Sequence, residues 1–269
     1  MCAMKVRRPL FFSVFVVAAL GACAHRDEPA WAKLPATGTK GDATITGEPA
    51  KITRFATPPT LDGRLDDAVW AQAAVLGPFV DTGAGGDDRD SRVAGYAKLG
   101  WDDAKLYLAV FVRDDSPVAP FERGDVDPHL WEKSSAIELM LQPGDPGDNR
   151  DYYEIQIDTK GAIFDTHWDD YNVPITGTDA AKVFGHQEWS CQAERAAYVE
   201  SGRYYAIEAA IPWSALVKGR TPIPPRSGDV WRMNFYSFRD SQGVALGWSP
   251  IKREGNFHKS SRFGRVKFE

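Results

Sequence analysis

The chain has 269 residues, of which 43% are hydrophobic and 12% aromatic, enough to bury a globular core, and its formal charge is −5. The first 23 residues hold three basic and no acidic side chains. The rest of the chain contains 29 Lys and Arg and 37 Asp and Glu, which gives it a formal charge of −8. An acidic surface repels phosphates and anionic headgroups, which argues against nucleic acid and direct lipid-surface binding.

The first 23 residues predict an export signal. Three basic residues precede the apolar run "PLFFSVFVVAAL", which is shorter than the about 20 residues that a membrane-spanning helix needs. The segment ends in "LGAC", which resembles the lipobox of bacterial lipoproteins and implies cleavage before Cys23, with lipid attached to that cysteine. The alternative is an ordinary signal peptide with a cysteine at its cleavage site. We expect an exported lipoprotein anchored in the outer membrane.

Cysteine usage and composition predict how the rest of the chain is divided. If Cys2 leaves with the signal and Cys23 carries lipid, Cys191 has no partner, so the exported domain has no internal disulfide. Residues 24–50 are rich in Ala, Gly, Thr and Pro and lack apolar periodicity, which predicts a flexible tether. We expect a single domain over residues 51–269.

Short alternating or apolar runs, separated by Gly, Pro and Asp clusters, follow from about residue 51. One short helix is predicted at "IPWSALV", residues 211–217, and no βαβ alternation is present. These patterns predict an all-β protein, an antiparallel β-sandwich. The clearest predicted strands are residues 93–101, 105–114, 135–142, 152–158, 204–212, 230–240 and 262–269.

A series of short motifs in a fixed order resembles carbohydrate-binding module family 9 and its relatives. They are "LDG" with "DDAVW", "LGWDDAKLYLAVFVRDD", "LWEKSSAIELMLQP", "YYEIQIDTKGAIFD", "YYAIEAAIPWSAL", "GDVWRMNF", "GWSP" and "HKSSRFGRVKF". The resemblance covers about residues 58–269. It implies a β-sandwich of the DOMON-like type, with jelly-roll character, and non-catalytic binding of an oligo- or polysaccharide. Such modules are often carried on secreted glycoside hydrolases, so an accessory role in such a system is a further possibility.

The first of these motifs raises the question of whether its acids carry chemistry. Asp62 and Gly63 predict a tight turn, because glycine adopts a positive φ at little cost. Trp70 is expected to pack at an edge of the core. We interpret Asp66 and Asp67 as solvated residues of a segment that opens the fold.

Several predicted strands alternate between apolar and polar residues, so each has one face for a core and one polar face. In "AIELMLQ", Ile137 and Leu139 lie opposite Glu138. Carboxylates and amides exchange hydrogen bonds with sugar hydroxyls, although a polar face that only meets water is equally common in antiparallel sheets. The ligand-binding residues predicted from these faces are Glu138, Glu154, Gln156 and Asn234.

The nine tryptophans divide by their surroundings in the sequence. Trp131 follows a polar loop and Trp168 lies in "DTHWDDY", so these two are predicted as exposed platforms for the apolar face of a sugar ring. Trp248, in "GWSP", fits either location. The tryptophans within strand or turn signatures are predicted to be core residues; they are Trp70, Trp101, Trp213 and Trp231.

The sequence gives little support for a metal or a cofactor. The histidines have no HExxH or Cys–His spacing, which argues against zinc. Acidic pairs recur in loops of an already acidic chain, and such pairs repel each other unless a cation lies between them, so structural Ca²⁺ is a possible cofactor. The pairs are Asp87–Asp88, Asp114–Asp115 and Asp169–Asp170.

Two alternatives to sugar binding remain at this stage. DOMON-like sandwiches resembling this one hold b-type haem through an axial methionine, and Met140 lies on a polar strand face, although methionine is more often a core residue. Catalysis has no sequence signature, since the chain lacks GxSxG, P-loop and dinucleotide fingerprints. We therefore expect a binding protein and not an enzyme.

Overall fold

The computed structural model describes residues 28–83, 94–175, 183–239 and 244–269, so the predicted signal segment and Cys23 lie outside the described residues. The described residues form thirteen strands and three short α-helices: α1 (Gly41–Thr46), α2 (Ala68–Gln72) and α3 (Leu130–Lys133). None of the helices described is long and apolar enough to cross a membrane. The strands are β1 (Ala50–Arg54), β2 (Val75–Leu76), β3 (Val80–Asp81), β4 (Ala94–Trp101), β5 (Lys105–Arg113), β6 (Ser135–Gln142), β7 (Arg150–Asp158), β8 (Ile163–Asp170), β9 (Glu194–Glu200), β10 (Tyr204–Pro212), β11 (Val230–Arg239), β12 (Val244–Gly247) and β13 (Gly264–Phe268).

The strands form two layers that β1 joins at one edge. The front sheet has the order β8-β7-β6-β11-β13, and the back sheet has the order β4-β5-β10-β9. The first half of β1 pairs in parallel with β13 and its second half pairs in parallel with β4. The other strand pairs in the described residues are antiparallel, so the predicted antiparallel β-sandwich is confirmed, with β1 as its parallel exception.

The core between the sheets consists of the apolar strand faces that alternation predicts. Ile137, Leu139 and Ile155 of the front sheet pack with Leu108 and Ile207 of the back sheet in one buried cluster. Each such side chain removed from water contributes about 1.5–3 kcal/mol to folding. Trp101, Trp213 and Trp231 lie in this core as predicted, and Trp248 lies there too.

A second buried cluster covers the outer face of the back sheet and contains Trp70, again as predicted. Here the "LDG" segment binds Glu208 of β10. The backbone N–H groups of Asp62 and Gly63 donate to Glu208 Oε2 at 3.0 and 2.8 Å, and Trp70 Nε1 donates to Oε1 at 2.6 Å. Gly63 has φ +81°, and a Cβ there would lie 2.4 Å from the backbone N of Tyr198. The motif therefore opens the fold by satisfying a buried carboxylate.

The described part of the predicted tether packs on the sandwich, which corrects the prediction for residues 28–49. Trp31 makes edge contacts with the rings of Tyr198 and Tyr204 at 6.1 and 5.6 Å, and Ala32 is buried. The backbone carbonyl of Thr39 accepts a 2.6 Å hydrogen bond from Trp248 Nε1. Apolar contacts spaced irregularly along the segment hold it in place, and irregular spacing leaves no periodic signal in the sequence.

The predicted helix at residues 211–217 is only a single 3₁₀ turn, Trp213–Ala215. Its first two residues, Ile211 and Pro212, belong to the end of β10.

Candidate functional site

A cleft of about 750 Å³ lies on the outer face of the front sheet, which is the face that alternation predicted to be polar. Its volume lies within the range of small-molecule sites. Five of the six predicted ligand-binding residues line it: Trp131, Glu138, Glu154, Gln156 and Trp168. The other lining residues are His129, Phe164, Gln187, Phe238, Ala245, Ile251, Gly255, Asn256, Phe257 and His258.

The strand register brings the polar residues of the cleft floor together. Glu138 of β6 lies directly opposite Gln156 of β7, and Glu154 points to the same side two residues earlier. Gln156 Nε2 donates to Glu138 Oε2 at 3.1 Å and to Glu154 Oε1 at 2.7 Å. One amide group thus links the two buried carboxyl groups of the cleft floor.

The floor has hydrogen-bonding capacity that the described residues do not use. Glu138 and Gln156 are only 2% and 1% exposed, yet Glu138 Oε1 and Gln156 Oε1 have no hydrogen-bond partner among those residues. A buried polar atom without a partner costs about 1–3 kcal/mol. Two orphaned acceptors in the floor of a cleft therefore favour a ligand that brings hydroxyl or N–H donors.

Burial also favours the neutral forms of the two acids. Burial and repulsion by Glu154 raise the pKa of Glu138 well above its usual range. Burial raises the pKa of Glu154 to about 7, although hydrogen bonds from Trp168 and Gln156 oppose the shift. A neutral carboxyl group both donates and accepts, which matches the dual character of a sugar hydroxyl.

Trp168 forms one wall of the cleft and is held from several sides. It lies opposite Tyr152 in the β7–β8 pair, and the two rings are parallel within 5° at 6.0 Å. Its Nε1 donates to Glu154 Oε2 at 3.1 Å, and its ring makes a T-shaped contact with the ring of His258 at 4.8 Å. The indole is therefore fixed before any ligand arrives.

Trp131 reaches the cleft from α3, beyond the end of the strands. It is 37% exposed, His129 stacks on it at 4.4 Å, and its ring meets Phe164 at 4.8 Å. The two predicted platform residues thus line one cleft. That they bind a sugar stays a prediction.

The segment 251–258 supplies cleft residues that the sequence analysis missed. Phe257 stacks on Tyr236 of β11 at 4.0 Å, and His258 Nδ1 shares a 2.8 Å hydrogen bond with the Tyr152 hydroxyl. Burial lowers the pKa of His258 to about 4, so the ring is neutral at neutral pH. The segment has no strand periodicity, and the only signal in its sequence is the presence of "NFH" in a polar stretch.

Asn234, the sixth predicted ligand-binding residue, does not reach the cleft, which corrects that prediction. Its Nδ2 donates to the carbonyl of Ser249 at 2.8 Å, and its Oδ1 accepts from the backbone N–H groups of Ser249 and Phe235. Asn234 is fully buried because the segment after β12 crosses over this part of the polar face. Its role is to hold that segment in place.

Met140 is also covered on this face. It is fully buried in a cluster with Tyr152, Tyr236, Ile251 and Phe263. This is the environment of a core methionine, so the haem alternative loses the residue on which it depended.

The acidic pairs that suggested calcium have protein partners where the structure describes them. Asp114 is buried and accepts hydrogen bonds from the Ser116 N–H and the Ser135 hydroxyl. Asp170 pairs with Arg150 at 2.7 Å, and hydrogen bonds from Lys218 and His186 lower the pKa of Asp169 to about 2. The repulsion that motivated calcium is therefore already compensated at this pair.

The third pair, Asp87–Asp88, lies outside the described residues.

Comparisons with known proteins agree on one family. The model of the family described as carbohydrate family 9 binding domain-like matches residues 61–269. A candidate carbohydrate-binding protein from Bacteroides uniformis is 19% identical, with a TM-score of 0.61 over 81% of this chain and 98% of that one.

A carbohydrate-binding module of family 9 from Caldicellulosiruptor kristjanssonii has a similar fold in two complexes. The cellotriose complex is 17% identical, with a TM-score of 0.53 over 81% of this chain and 93% of that one. The glucose complex is 16% identical, with a TM-score of 0.51 over 81% and 94%. A search of curated proteins gave no match.

Proposed function

The chain belongs to the carbohydrate family 9 binding domain-like family, and from that premise we propose that it binds an oligo- or polysaccharide in the cleft without transforming it. The observation that carries the proposal is the pair of orphaned acceptors, Glu138 Oε1 and Gln156 Oε1, in the floor of a cleft with aromatic walls.

The chemistry of the cleft fits a neutral sugar. Sugar hydroxyls would donate to the two orphaned oxygens and remove the cost of leaving them unpaired. A pyranose ring also has an apolar face of C–H groups, which packs against an aromatic ring such as that of Trp168 or Trp131. A neutral ligand brings no charge to the buried Glu138–Glu154 pair, whose surroundings already disfavour charge on its own carboxyl groups.

Calorimetric titration of the protein with cellotriose, glucose, xylo-oligosaccharides and manno-oligosaccharides tests the proposal. We expect saturable binding of at least one of them, which the double variant Trp131→Ala, Trp168→Ala abolishes. Glu138→Gln, which keeps the shape of the side chain, should weaken binding about tenfold by changing one hydrogen bond to a buried polar group.

The control variant is Val217→Ala, because Val217 is 66% exposed and outside the cleft residues. It should bind like the wild type. If no sugar of the panel binds, or if the double tryptophan variant binds as tightly as the wild type, the proposal is wrong.

Non-catalytic binding is tested in the same samples. Glu138 and Glu154 both accept a hydrogen bond from Gln156 Nε2, so their carboxyl groups lie close together. Glycoside hydrolysis also requires two nearby carboxyl groups, so catalysis has to be tested. We expect chromatography to recover the oligosaccharide intact after long incubation. Shortened products that disappear in Glu138→Gln would instead identify a hydrolase.

We also propose that lipid on Cys23 holds the module at the outer membrane, where sugar binding would support capture or breakdown of polysaccharide. The "LGAC" sequence after an apolar run supports this proposal. Metabolic labelling with a palmitate analogue should mark the wild-type chain and leave Cys23→Ser unlabelled. Labelling of both chains, or of neither, would contradict lipid attachment at this residue.

A further inference from the structure

The face of β8 opposite to Trp168 holds a group of side chains that the sugar site does not use. His167 and Asp169 flank Trp168 in sequence, so strand alternation turns both away from the cleft. His186 comes from a later segment that pairs with β8, since its N–H donates to the carbonyl of His167 at 2.7 Å. This pairing places two imidazoles and one carboxylate together.

The potential ligand atoms of the three residues are close. His186 Nε2 lies 2.9 Å from Asp169 Oδ2, and His167 Nε2 lies 3.8 Å from Asp169 Oδ1. The three ligand atoms all lie within 4.8 Å of one another. Ligands on one Zn²⁺ ion, each about 2.0–2.2 Å from the metal, are about 3.3 Å apart in tetrahedral geometry. Changes of at most about 1.5 Å in these separations would therefore complete the site.

His167 gives an independent sign of a ligand site here. The residue is only 2% exposed, and its Nε2 has no hydrogen-bond partner in the described part of the chain. A buried ring nitrogen normally has a partner, because leaving it unpaired costs about 1–3 kcal/mol. The orphaned nitrogen belongs to the same group as Asp169 and His186.

The ring of His186 is oriented as metal-ligating histidines usually are. Its Nδ1 lies 2.8 Å from Glu188 Oε1. A carboxylate on one ring nitrogen keeps a proton on that nitrogen, so a metal ion would bind the other nitrogen in place of its proton. In His186 that other nitrogen is Nε2, which faces Asp169.

We propose that His167, Asp169 and His186 form a binding site for a divalent transition-metal ion of the zinc class. Two imidazole nitrogens and one carboxylate oxygen suit Zn²⁺ and its neighbours in the first transition row, whereas Ca²⁺ and Mg²⁺ prefer oxygen ligands alone. Three protein ligands leave a fourth position for water. The spacing of these residues in the sequence does not predict a metal site, because His186 reaches the other two ligands through strand pairing.

Lys218 supplies the positive charge beside Asp169 that a bound metal ion would replace. Its Nζ contacts Asp169 Oδ1, and its side chain is 45% exposed, so it can move into solvent without disturbing the core. A metal ion and the Lys218 ammonium group compete for the same carboxylate. Removing the lysine charge should therefore tighten metal binding, whereas a purely structural ion pair would give no such effect.

Metal binding would also support one wall of the cleft. The segment that carries His186 includes Gly185, where an added Cβ would lie 3.3 Å from the Trp168 ring, and Gln187, which lines the cleft. An ion that ties His186 to β8 would fix this segment against the back of Trp168.

Equilibrium dialysis of the full chain, prepared without a histidine tag, against micromolar free Zn²⁺ tests the proposal. We expect one bound Zn²⁺ per chain and, with Co²⁺ in its place, visible ligand-field bands. His186→Ala should weaken binding at least about 100-fold, and Glu188→Gln about tenfold through loss of the orienting carboxylate. Lys218→Gln should bind more tightly than the wild type.

His129→Ala is the matched control, because His129 lies in the cleft and outside this group; it should retain one Zn²⁺ per chain. In chelator, wild type, His186→Ala and Lys218→Gln should each show one cooperative melting transition, which separates metal loss from misfolding. The proposal is overturned if the wild type retains no stoichiometric Zn²⁺, if His186→Ala retains as much as the wild type, or if Lys218→Gln binds more weakly. Sugar binding in chelator is measured separately, so failure of one proposal leaves the other testable.

Discussion

At the scale of single residues, two opposing effects act on the ionisation of Glu208. Three N–H donors stabilise its ionised form, while complete burial destabilises it. Burial is the larger effect and raises the pKa of Glu208 to about 7. The folded state therefore holds this proton more tightly than the unfolded state, in which a glutamate titrates near its ordinary value of about 4.3. The resulting stability is present at acidic pH and is lost as pH rises through about 7.

Glu208→Gln tests this sign, because the variant has no proton to lose at that position. Between pH 5 and pH 8 the free energy of unfolding of the wild type should fall relative to that of Glu208→Gln, by at most about 1.4 kcal/mol per pH unit. Urea unfolding at four pH values measures the difference, and titrations elsewhere in the chain cancel in it. A difference that stays constant or rises with pH would contradict a raised pKa.

At the scale of elements, strands with at least one continuous apolar face were predictable and strands with mixed faces were not. β5 and β10 pack between two apolar layers and read as apolar runs, "KLYLAVFVR" and "YYAIEAAIP". β8 has the sequence "IFDTHWDD", because one side lines the cleft and the other carries the His167 group. β9 is an edge strand with partly exposed residues. The polar residues on both faces of β8 and the exposed edge position of β9 removed the periodic signal from these strands.

The segment 248–258 is an element without regular structure, and Asn234 holds it in place. Asn234→Ala would leave the N–H and carbonyl of Ser249 and the N–H of Phe235 without these partners. We expect a loss of about 2–3 kcal/mol in the free energy of unfolding. Sugar affinity should also fall, about tenfold, because the loosened segment supplies Phe257 and His258 to the cleft.

Gly63→Ala is the matched control for that variant. Its added Cβ clashes with backbone at a positive φ on the outer side of the back sheet, so we expect a comparable loss of stability. Its sugar affinity, measured at a temperature where both variants are folded, should equal that of the wild type. Equal affinities in the two variants would mean that Asn234 does not support the cleft.

At the scale of the whole molecule, the N-terminal residues close the sandwich. β1 pairs with both sheets, and the residues before it pack on the outer side of the back sheet and against Trp248. Residues from Trp31 onward therefore pack with the sandwich, ahead of the boundary at residue 51 that composition predicted.

Trp31→Ala measures how far this segment contributes to folding. Trp31 makes edge contacts with Phe111, Tyr198 and Tyr204, and aromatic pairs of this kind contribute about 0.5–1.5 kcal/mol beyond their buried area. We expect a loss of about 2 kcal/mol in the free energy of unfolding, measured by urea denaturation, against about 0.5 kcal/mol or less for the exposed control Val217→Ala. Equal stability of the two variants would restore the tether interpretation.

The sequence by itself determined the fold class, the core faces and most of the cleft. Strand alternation is a local property, and it assigned Glu138, Glu154 and Gln156 to one face before any contact was known. Only the tertiary structure decided which polar residues stay accessible. Asn234 lies on the same face as these three, but a segment distant in sequence covers it.

The His167, Asp169 and His186 group likewise depends on tertiary structure, because 17 residues separate Asp169 from its partner His186. Covering segments and cross-strand partners are set by packing between distant parts of the chain. Local periodicity carries no information about that packing, so these features could not be predicted from the sequence alone.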